Sequence, residues 1–209
     1  THSFMNCSFI GNSAPNPSNG GGAVYIQSGV GSFAGCSFVN NTAGGGGGAV
    51  WIDAGSDTHS FMNCSFIGNS APNPSNGGGA VYIQSGVGSF AGCSFVNNTA
   101  AGAGGAVWIF AGLDTHSFMN CSFIGNSAGT YGGAVHFSAS CHGCSHLNRT
   151  RFIGNHAGVS GGAVYFANPL GCPQAHARIG WRFEGNRAGD WGDNVSSAIS
   201  HLRLSLIHI

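Results

Sequence analysis

The chain repeats itself with a period of 57 residues. The segment Thr1–Cys7 returns at Thr58 and Thr115, and residues 1–43 and 58–100 are identical. Each unit holds two similar coils, because Cys-Ser-Phe recurs, beginning at Cys7, Cys36, Cys64, Cys93 and Cys121. A short fixed period of this kind is typical of repeat proteins, in which each repeat packs mainly against its neighbours.

Three further positions keep the same register. A Phe recurs at Phe9, Phe38, Phe66, Phe95, Phe123, Phe152 and Phe183. An Asn follows three residues later, at Asn12, Asn41, Asn69, Asn98, Asn126, Asn155 and Asn186. Gly-Gly-Ala-Val comes next and ends at Val24, Val50, Val81, Val107, Val135 and Val164, with a degenerate copy ending at Val195. The register predicts seven coils of about 27 to 31 residues.

The apolar residues of each coil are spaced by two, as in Cys-x-Phe and Val-x-Ile, which excludes a helical repeat. Short strands broken by Gly and Asn in every coil predict an all-β fold, a parallel β-helix of about seven coils. We expect three strands per coil, near Ser3-Phe4, at Cys7–Phe9 and at Ala23–Ile26. Stacked Phe and Val would fill the core, and inward Asn side chains would hydrogen-bond along the axis.

The repeat predicts one β-helix domain over residues 1–195, as a fragment of a longer array. Residues 196–209 form an atypical tail in which the pattern is lost. Its last six residues, Leu204–Ile209, resemble translated sequencing-adapter sequence and are interpreted as a sequence artefact. The alternative is a closing amphipathic strand that caps the helix.

The pair of motifs Phe9-Ile10-Gly11-Asn12 and Gly21-Gly22-Ala23-Val24 resembles the repeat of the chlamydial polymorphic outer membrane proteins. Matching residues occur in five further coils. The resemblance implies a right-handed, pectin-lyase-like parallel β-helix on a cell surface, often with an adhesive role. It implies no particular substrate or receptor.

Composition narrows the function. Only 6% of residues are charged, six acidic and six basic, and Lys is absent. This predicts no nucleic-acid partner, because phosphate binding requires a basic patch. No apolar run approaches the roughly 20 residues of a membrane-spanning helix. The first five coils contain only three carboxylates, Asp53, Asp57 and Asp114, whereas an enzyme of this fold normally needs clustered carboxylates, or carboxylates with Lys or Arg and bound calcium.

Charged residues do gather in the last coil, and we interpret them as a polar end cap. The sequence therefore predicts no catalytic residue, no bound metal and no cofactor. The alternative is a fragment of a polysaccharide lyase or glycosidase whose catalytic coils lie elsewhere. The charged residues of the last coil are Arg178, Arg182, Glu184, Arg187, Asp190 and Asp193.

The cysteines fall into two groups. The five of the repeat would form an inward ladder, for which we favour reduced thiols over bridges between coils. Cys141, Cys144 and Cys172 lie in two longer inserts that leave the same corner of adjacent coils. We predict a disulfide from Cys172 to Cys141 or Cys144, and zinc binding and free thiols remain the alternatives. His2, His59 and His116 recur every second coil and are expected at a solvated turn.

An aromatic stripe is the candidate ligand site. Alternation with inward Val and Ile would turn outward Tyr25, Trp51, Tyr82, Trp108 and Tyr165, with His136 in the same row. Such a row can stack on a polysaccharide or pack on another surface protein. The alternative is stacking between coils for stability alone. A minor alternative function is ice binding by a flat face of outward pairs such as Ser8 and Ile10.

Seven Asn-x-Ser/Thr sequons fit a secreted eukaryotic protein, and they begin at Asn6, Asn40, Asn63, Asn97, Asn120, Asn148 and Asn194. The predicted function is therefore a non-catalytic extracellular or cell-surface β-helix with a structural or adhesive role, with polysaccharide or another surface protein as its partner.

Overall fold

The computed structural model describes residues 1–18, 20–112, 116–141, 146–167 and 180–197. Every regular element within these residues is a β-strand, and the 25 strands are numbered in chain order. They form three sheets in which all the pairings are parallel, and each strand pairs with its equivalents in the neighbouring coils.

The long sheet has 11 strands. They are β1 (His2–Met5), β4 (Val24–Ile26), β5 (Gly31–Ala34), β8 (Val50–Met62), β11 (Val81–Ala91), β14 (Val107–Gly112), β15 (Ser117–Met119), β18 (Val135–Cys141), β19 (His146–Asn148), β22 (Val164–Phe166) and β25 (Val195–Ser197).

The other two sheets have seven strands each. The Phe sheet contains β2 (Ser8–Ile10), β6 (Ser37–Val39), β9 (Ser65–Ile67), β12 (Ser94–Val96), β16 (Ser122–Ile124), β20 (Arg151–Ile153) and β23 (Arg182–Glu184). The short sheet contains β3 (Ser13–Ala14), β7 (Thr42–Ala43), β10 (Ser70–Ala71), β13 (Thr99–Ala100), β17 (Ser127–Ala128), β21 (His156–Ala157) and β24 (Arg187–Ala188). Seven stacked rungs joined by about six turns confirm the predicted all-β parallel solenoid.

Two details of the strand prediction are wrong. The strands expected at Val-x-Ile and at Ser-Phe are one continuous strand in β8 and β11, because residues between them also pair across the coils, despite left-handed Gly55 and Gly86 and register shifts near Ser85. The short sheet was not predicted, because each of its strands is only two residues long and leaves no detectable alternation.

The core is built from two stacked columns of Phe rings. In the column that contains Phe66, successive ring centroids lie 4.6 to 5.2 Å apart and the ring planes are nearly parallel. A second column begins at Phe4 and continues through Phe33, with spacings of 4.8 to 4.9 Å. The two columns meet edge to face, as at Phe61 and Phe66, whose ring centroids are 5.8 Å apart.

A buried Asn ladder runs beside the Phe columns, as predicted. Asn69 is fully buried, and its Oδ1 accepts bonds from the backbone N–H and the Nδ2 of Asn41, at 3.0 and 2.9 Å. Its own Nδ2 donates to Oδ1 of Asn98 at 2.9 Å and to the carbonyl of Phe38 at 3.0 Å. Both acceptor sites and both donors of the amide are therefore used, which removes the usual cost of burying it.

Candidate functional site

The aromatic stripe lies along the long sheet. Each of its members is the middle residue of a Val-x-Ile-type triplet and pairs in register with the next, as Tyr25 does with Trp51 and Trp51 with Tyr82. Neighbouring ring centroids are 5.0 to 5.7 Å apart from Tyr25 through to Tyr165. The rings therefore touch one another along the whole row.

Exposure differs sharply within the stripe. Tyr25, in the first coil, is 50% exposed, while Tyr82 and Tyr165 are only 7% and 9% exposed. Trp51 and Trp108 are half-buried. The expectation that every ring faces solvent is thus wrong for Tyr82, Tyr165 and His136, which is 8% exposed, although alternation correctly places them on the outer side of the strand.

Glycine turns cover the rings. A Cβ on Gly20 would overlap the indole of Trp51, and one on Gly77 would crowd the indole of Trp108, so these turns pack directly against the ring faces. Tyr131 also lies over Tyr165, with centroids 4.6 Å apart. Alternation along a strand says which side a residue faces but says nothing about the turn that folds back over it.

The polar atoms of the stripe are withdrawn from water as well. Trp108 donates its Nε1–H to Oγ of Ser138 at 2.7 Å, whereas the buried Nε1 of Trp51 has no hydrogen-bond partner. Burial raises the pKa of Tyr82 to about 12, and the nearby Asp53 acts in the same direction. The packing and burial of the rings support the alternative role, in which the stripe stabilises the solenoid by stacking between coils.

The cysteine ladder consists of free thiols. Cys7 donates to the carbonyl of Met5, and each of the other four thiols donates to two backbone carbonyls, as Cys93 does to Phe61 at 3.3 Å and to Ala91 at 3.6 Å. Thr150 takes the same place in the next coil after Cys121, and its hydroxyl makes the equivalent pair of bonds, both at 3.1 Å. Each ladder position therefore holds a small hydrogen-bond donor at a fixed place in the coil, and a hydroxyl can replace the thiol there.

The thiols of Cys36 and Cys93 are poor nucleophiles, whereas hydrogen bonding with the Cys93 thiol lowers the pKa of Cys121. Hydrogen bonding with the Cys121 thiol and burial raise the pKa of Cys93 to about 12. Burial likewise raises the pKa of Cys36. Because the thiolate is the reactive form, the thiols of Cys36 and Cys93 are inert at neutral pH.

The predicted disulfide stays a prediction. Cys141 ends β18, where its backbone pairs with Gly112, but its side chain lies outside the described residues, as do Cys144 and Cys172. Among the residues that are described, no three His, Cys, Asp or Glu side chains converge to hold a metal ion.

The histidine prediction is wrong for two of its three members. His2 is exposed, but His59 and His116 are fully buried. Nδ1 of His59 accepts the backbone N–H of Gly31 at 3.1 Å, and Nδ1 of His116 accepts that of Gly88 at the same distance. Burial lowers the pKa of His59, with Asp57 opposing the shift.

The described carboxylates do not form a cluster. Asp53 accepts a bond from Ser85 Oγ at 2.7 Å near the middle of the array. In the last coil Glu184 pairs with Arg182 at 3.1 Å, with both side chains largely in solvent, and Asp193 accepts the backbone N–H of Ala188 at 2.9 Å. A surface depression of about 370 Å³ is lined by uncharged residues and one Arg: Met119, Asn120, Asn148 and Arg149.

These ladders, stacked in register around one core, define a parallel β-solenoid built from a single repeated coil. Six segments, which together cover more than half of the chain, match the Chlamydia polymorphic membrane protein repeat: residues 6–27, 35–53, 63–84, 92–109, 120–138 and 149–167. The chain belongs to this repeat family. No curated protein and no solved structure gave a significant match. Within the described residues, no helix is long and apolar enough to cross a bilayer.

Proposed function

We propose that the chain is a non-catalytic, surface-displayed β-helix that acts as a rigid structural array. The observation that carries this proposal is the Asn ladder, in which each buried amide is fully hydrogen-bonded to its copies in the neighbouring coils. A satisfied polar network of this kind fixes the register of every rung and stiffens the column. Membership in a repeat family of membrane proteins supports display at a cell surface.

The distribution of reactive groups supports the absence of catalysis. Acid–base or glycosidic chemistry needs two titratable groups held a few ångströms apart around a cleft. Among the described residues, the buried ladder thiols and the imidazoles of His59 and His116 are held by backbone bonds, and the only carboxylate paired with a cation, Glu184, lies on an exposed pair. These groups serve the architecture.

Two measurements test the proposal. Antibodies against the array should label intact cells of the source organism as strongly as permeabilised ones. The purified protein should release neither reducing ends nor unsaturated products from a panel of polysaccharides. Labelling only after permeabilisation would refute surface display, and turnover that depends on a carboxylate would favour the alternative, a polysaccharide-active enzyme.

Glycan binding is the second candidate, and the exposed ring of Tyr25 favours it. Weak binding to an insoluble polysaccharide should be lost in Tyr25→Ala and in the double variant Trp51→Ala/Trp108→Ala. Trp191, which is 53% exposed in the last coil, provides the control variant Trp191→Ala, which should still bind. A pull-down with no binding by the unaltered chain, or equal loss in the control, leaves only the structural role.

The ice-binding hypothesis concerns the outer face of the Phe sheet. There the hydroxyls of Ser65 and Ser37 hydrogen-bond at 3.2 Å, and Ile10 and Ile67 are exposed beside them. A thermal-hysteresis measurement tests this face directly, and Ile67→Lys should abolish any activity that it has.

A further inference from the structure

Exposed Asn side chains mark two corners of the solenoid. In the part of the chain that the structure describes, six residues other than Gly have a left-handed backbone, and five of them are Asn with φ between 51° and 54°: Asn6, Asn40, Asn63, Asn97 and Asn120. Asn is the side chain that tolerates this conformation best after Gly. Three of the five precede strands of the Phe sheet, and the other two precede strands of the short sheet.

The side-chain amides of these residues are free. All five are exposed, and within the described residues none makes a side-chain hydrogen bond, in contrast to the buried Asn ladder. Four of them lean over a Gly at the same corner of the next coil: a Cβ on Gly35 would collide with Oδ1 of Asn6, and one on Gly92 would collide with Oδ1 of Asn63. This contact explains why Asn and Gly alternate along each corner.

The exposed Asn residues of the corners begin sequons, whereas the Asn residues of the ladder do not. Each of the five left-handed Asn begins an Asn-x-Ser or Asn-x-Thr sequence. Each fully or nearly fully buried Asn of the ladder instead has Ala two residues later, as Ala71 follows Asn69. Asn16 and Asn73, in the surface turns, are followed by Pro, which blocks the motif.

We propose that Asn6, Asn40, Asn63, Asn97 and Asn120 are acceptors for N-linked glycans, arranged in two rows along the corners. The proposal rests on the proposed extracellular location. The donor class is a lipid-linked oligosaccharide pyrophosphate: Nδ2 of Asn forms a bond to C1 of the first sugar, the C1–O bond to the pyrophosphate breaks, the lipid pyrophosphate leaves with the electron pair, and the amide loses one proton. Acceptors in a row are two coils, or about 9.6 Å, apart.

Two other sequons serve as internal negative controls. Asn148 is half-buried with its Oδ1 inaccessible, and the hydroxyl of Thr150 in the same sequon is buried and donates to two carbonyls. Asn194 is exposed, but its Oδ1 accepts a bond from Nδ2 of Asn186 at 3.2 Å, and the hydroxyl of Ser196 in its sequon is buried. A glycan on Asn148 would have to displace packed backbone, so the folded chain should not carry one.

The test uses the full chain with an added secretory signal, translated in the presence of endoplasmic-reticulum vesicles. Only protease-protected, hence translocated, chains are scored. Enzymatic hydrolysis of the glycosylated Asn amides in water enriched in a heavy oxygen isotope converts each occupied Asn to an Asp that carries the oxygen label, and mass spectrometry then reports occupancy at every sequon. Circular dichroism of the secreted, glycosylated protein reports whether the β fold persists.

We expect occupancy at the five corner residues and none at Asn148 or Asn194. Asn63→Gln and Ser65→Ala should each remove one glycan and leave the others. Translocated chains without glycans, equal occupancy at Asn148, or loss of the β spectrum on glycosylation would each refute the acceptor role while leaving the structural role intact. A chain that fails to cross the membrane would refute the extracellular location and the acceptor role together.

Discussion

Acid should lower the free energy of unfolding of the solenoid through His136, and the burial of this ring determines the size of the effect. The ring is 8% exposed, stacks on Trp108 with a centroid distance of 5.7 Å and meets Tyr165 edge-on at 5.3 Å. Neither ring nitrogen has a hydrogen-bond partner. Burial alone lowers the pKa of His136 from 6.5 to about 4, so the folded state holds the imidazole neutral.

The sign follows from proton binding. As pH falls below about 6.5, the unfolded chain takes up a proton at this position that the folded chain refuses, and the folded state is penalised. The penalty grows until pH about 4 and is constant below it. A difference of about 2.5 pKa units corresponds to about 3 kcal/mol in the free energy of unfolding. His59, whose pKa burial also lowers, adds a loss in the same direction.

The variant His136→Phe isolates this contribution. Phe keeps the ring contacts, removes two unpaired buried nitrogens and cannot be protonated, so the variant should be more stable at pH 7 by about 1–3 kcal/mol. Urea unfolding followed by circular dichroism between pH 7 and pH 4 should show a smaller loss in His136→Phe than in the unaltered chain. The control His156→Gln changes an exposed histidine and should leave the loss unchanged.

Nuclear magnetic resonance of the imidazole carbons gives an independent readout, since a solenoid can lose coils one at a time. His136 should titrate near pH 4. Titration near 6.5, or an equal acid-induced loss in His136→Phe and in the unaltered chain, would refute the reasoning.

Three further predictions concern the interior. Phe66→Ala should lower the free energy of unfolding by about 3–5 kcal/mol in urea titrations, because it opens a cavity in a fully buried column. Asn98→Leu should cost about 3 kcal/mol or more, because it leaves several buried partners unsatisfied, whereas Asn97→Gly at the adjacent exposed corner should change stability by less than about 0.5 kcal/mol. Site-resolved alkylation at pH 8 should modify half-buried Cys7 well before Cys93, and equal rates would contradict the buried ladder.

The sequence predicted the interior better than the surface, for a physical reason. A residue such as Asn69 stacks on the equivalent Asn of each adjacent coil. The repeat therefore specifies its neighbours, and its hydrogen bonds could be predicted. The cover over Trp51 comes from Gly20, in the turn of the preceding coil, and no periodicity indicates that contact. The burial of His59 did have a signal: Gly31 and Gly88 occupy its column in the adjacent coils and leave room for the imidazole.

Some positions repeat in every coil, and others repeat only in every second coil. This difference separates the residues that build the ladders from the surface residues on which selection can act independently. Inward Phe, Cys, Asn and Val repeat in nearly every coil, because each must match its own copy above and below. Outward positions are freer: Met5 pairs with Ala34, and Ala34 pairs with Met62, so large and small side chains alternate down one exposed edge. Met5 and Met62 are 70% and 54% exposed. Since the Phe, Cys, Asn and Val ladders do not impose this 57-residue pattern, we expect a partner that recognises it to contact the exposed corners and edges where the two coils of a unit differ.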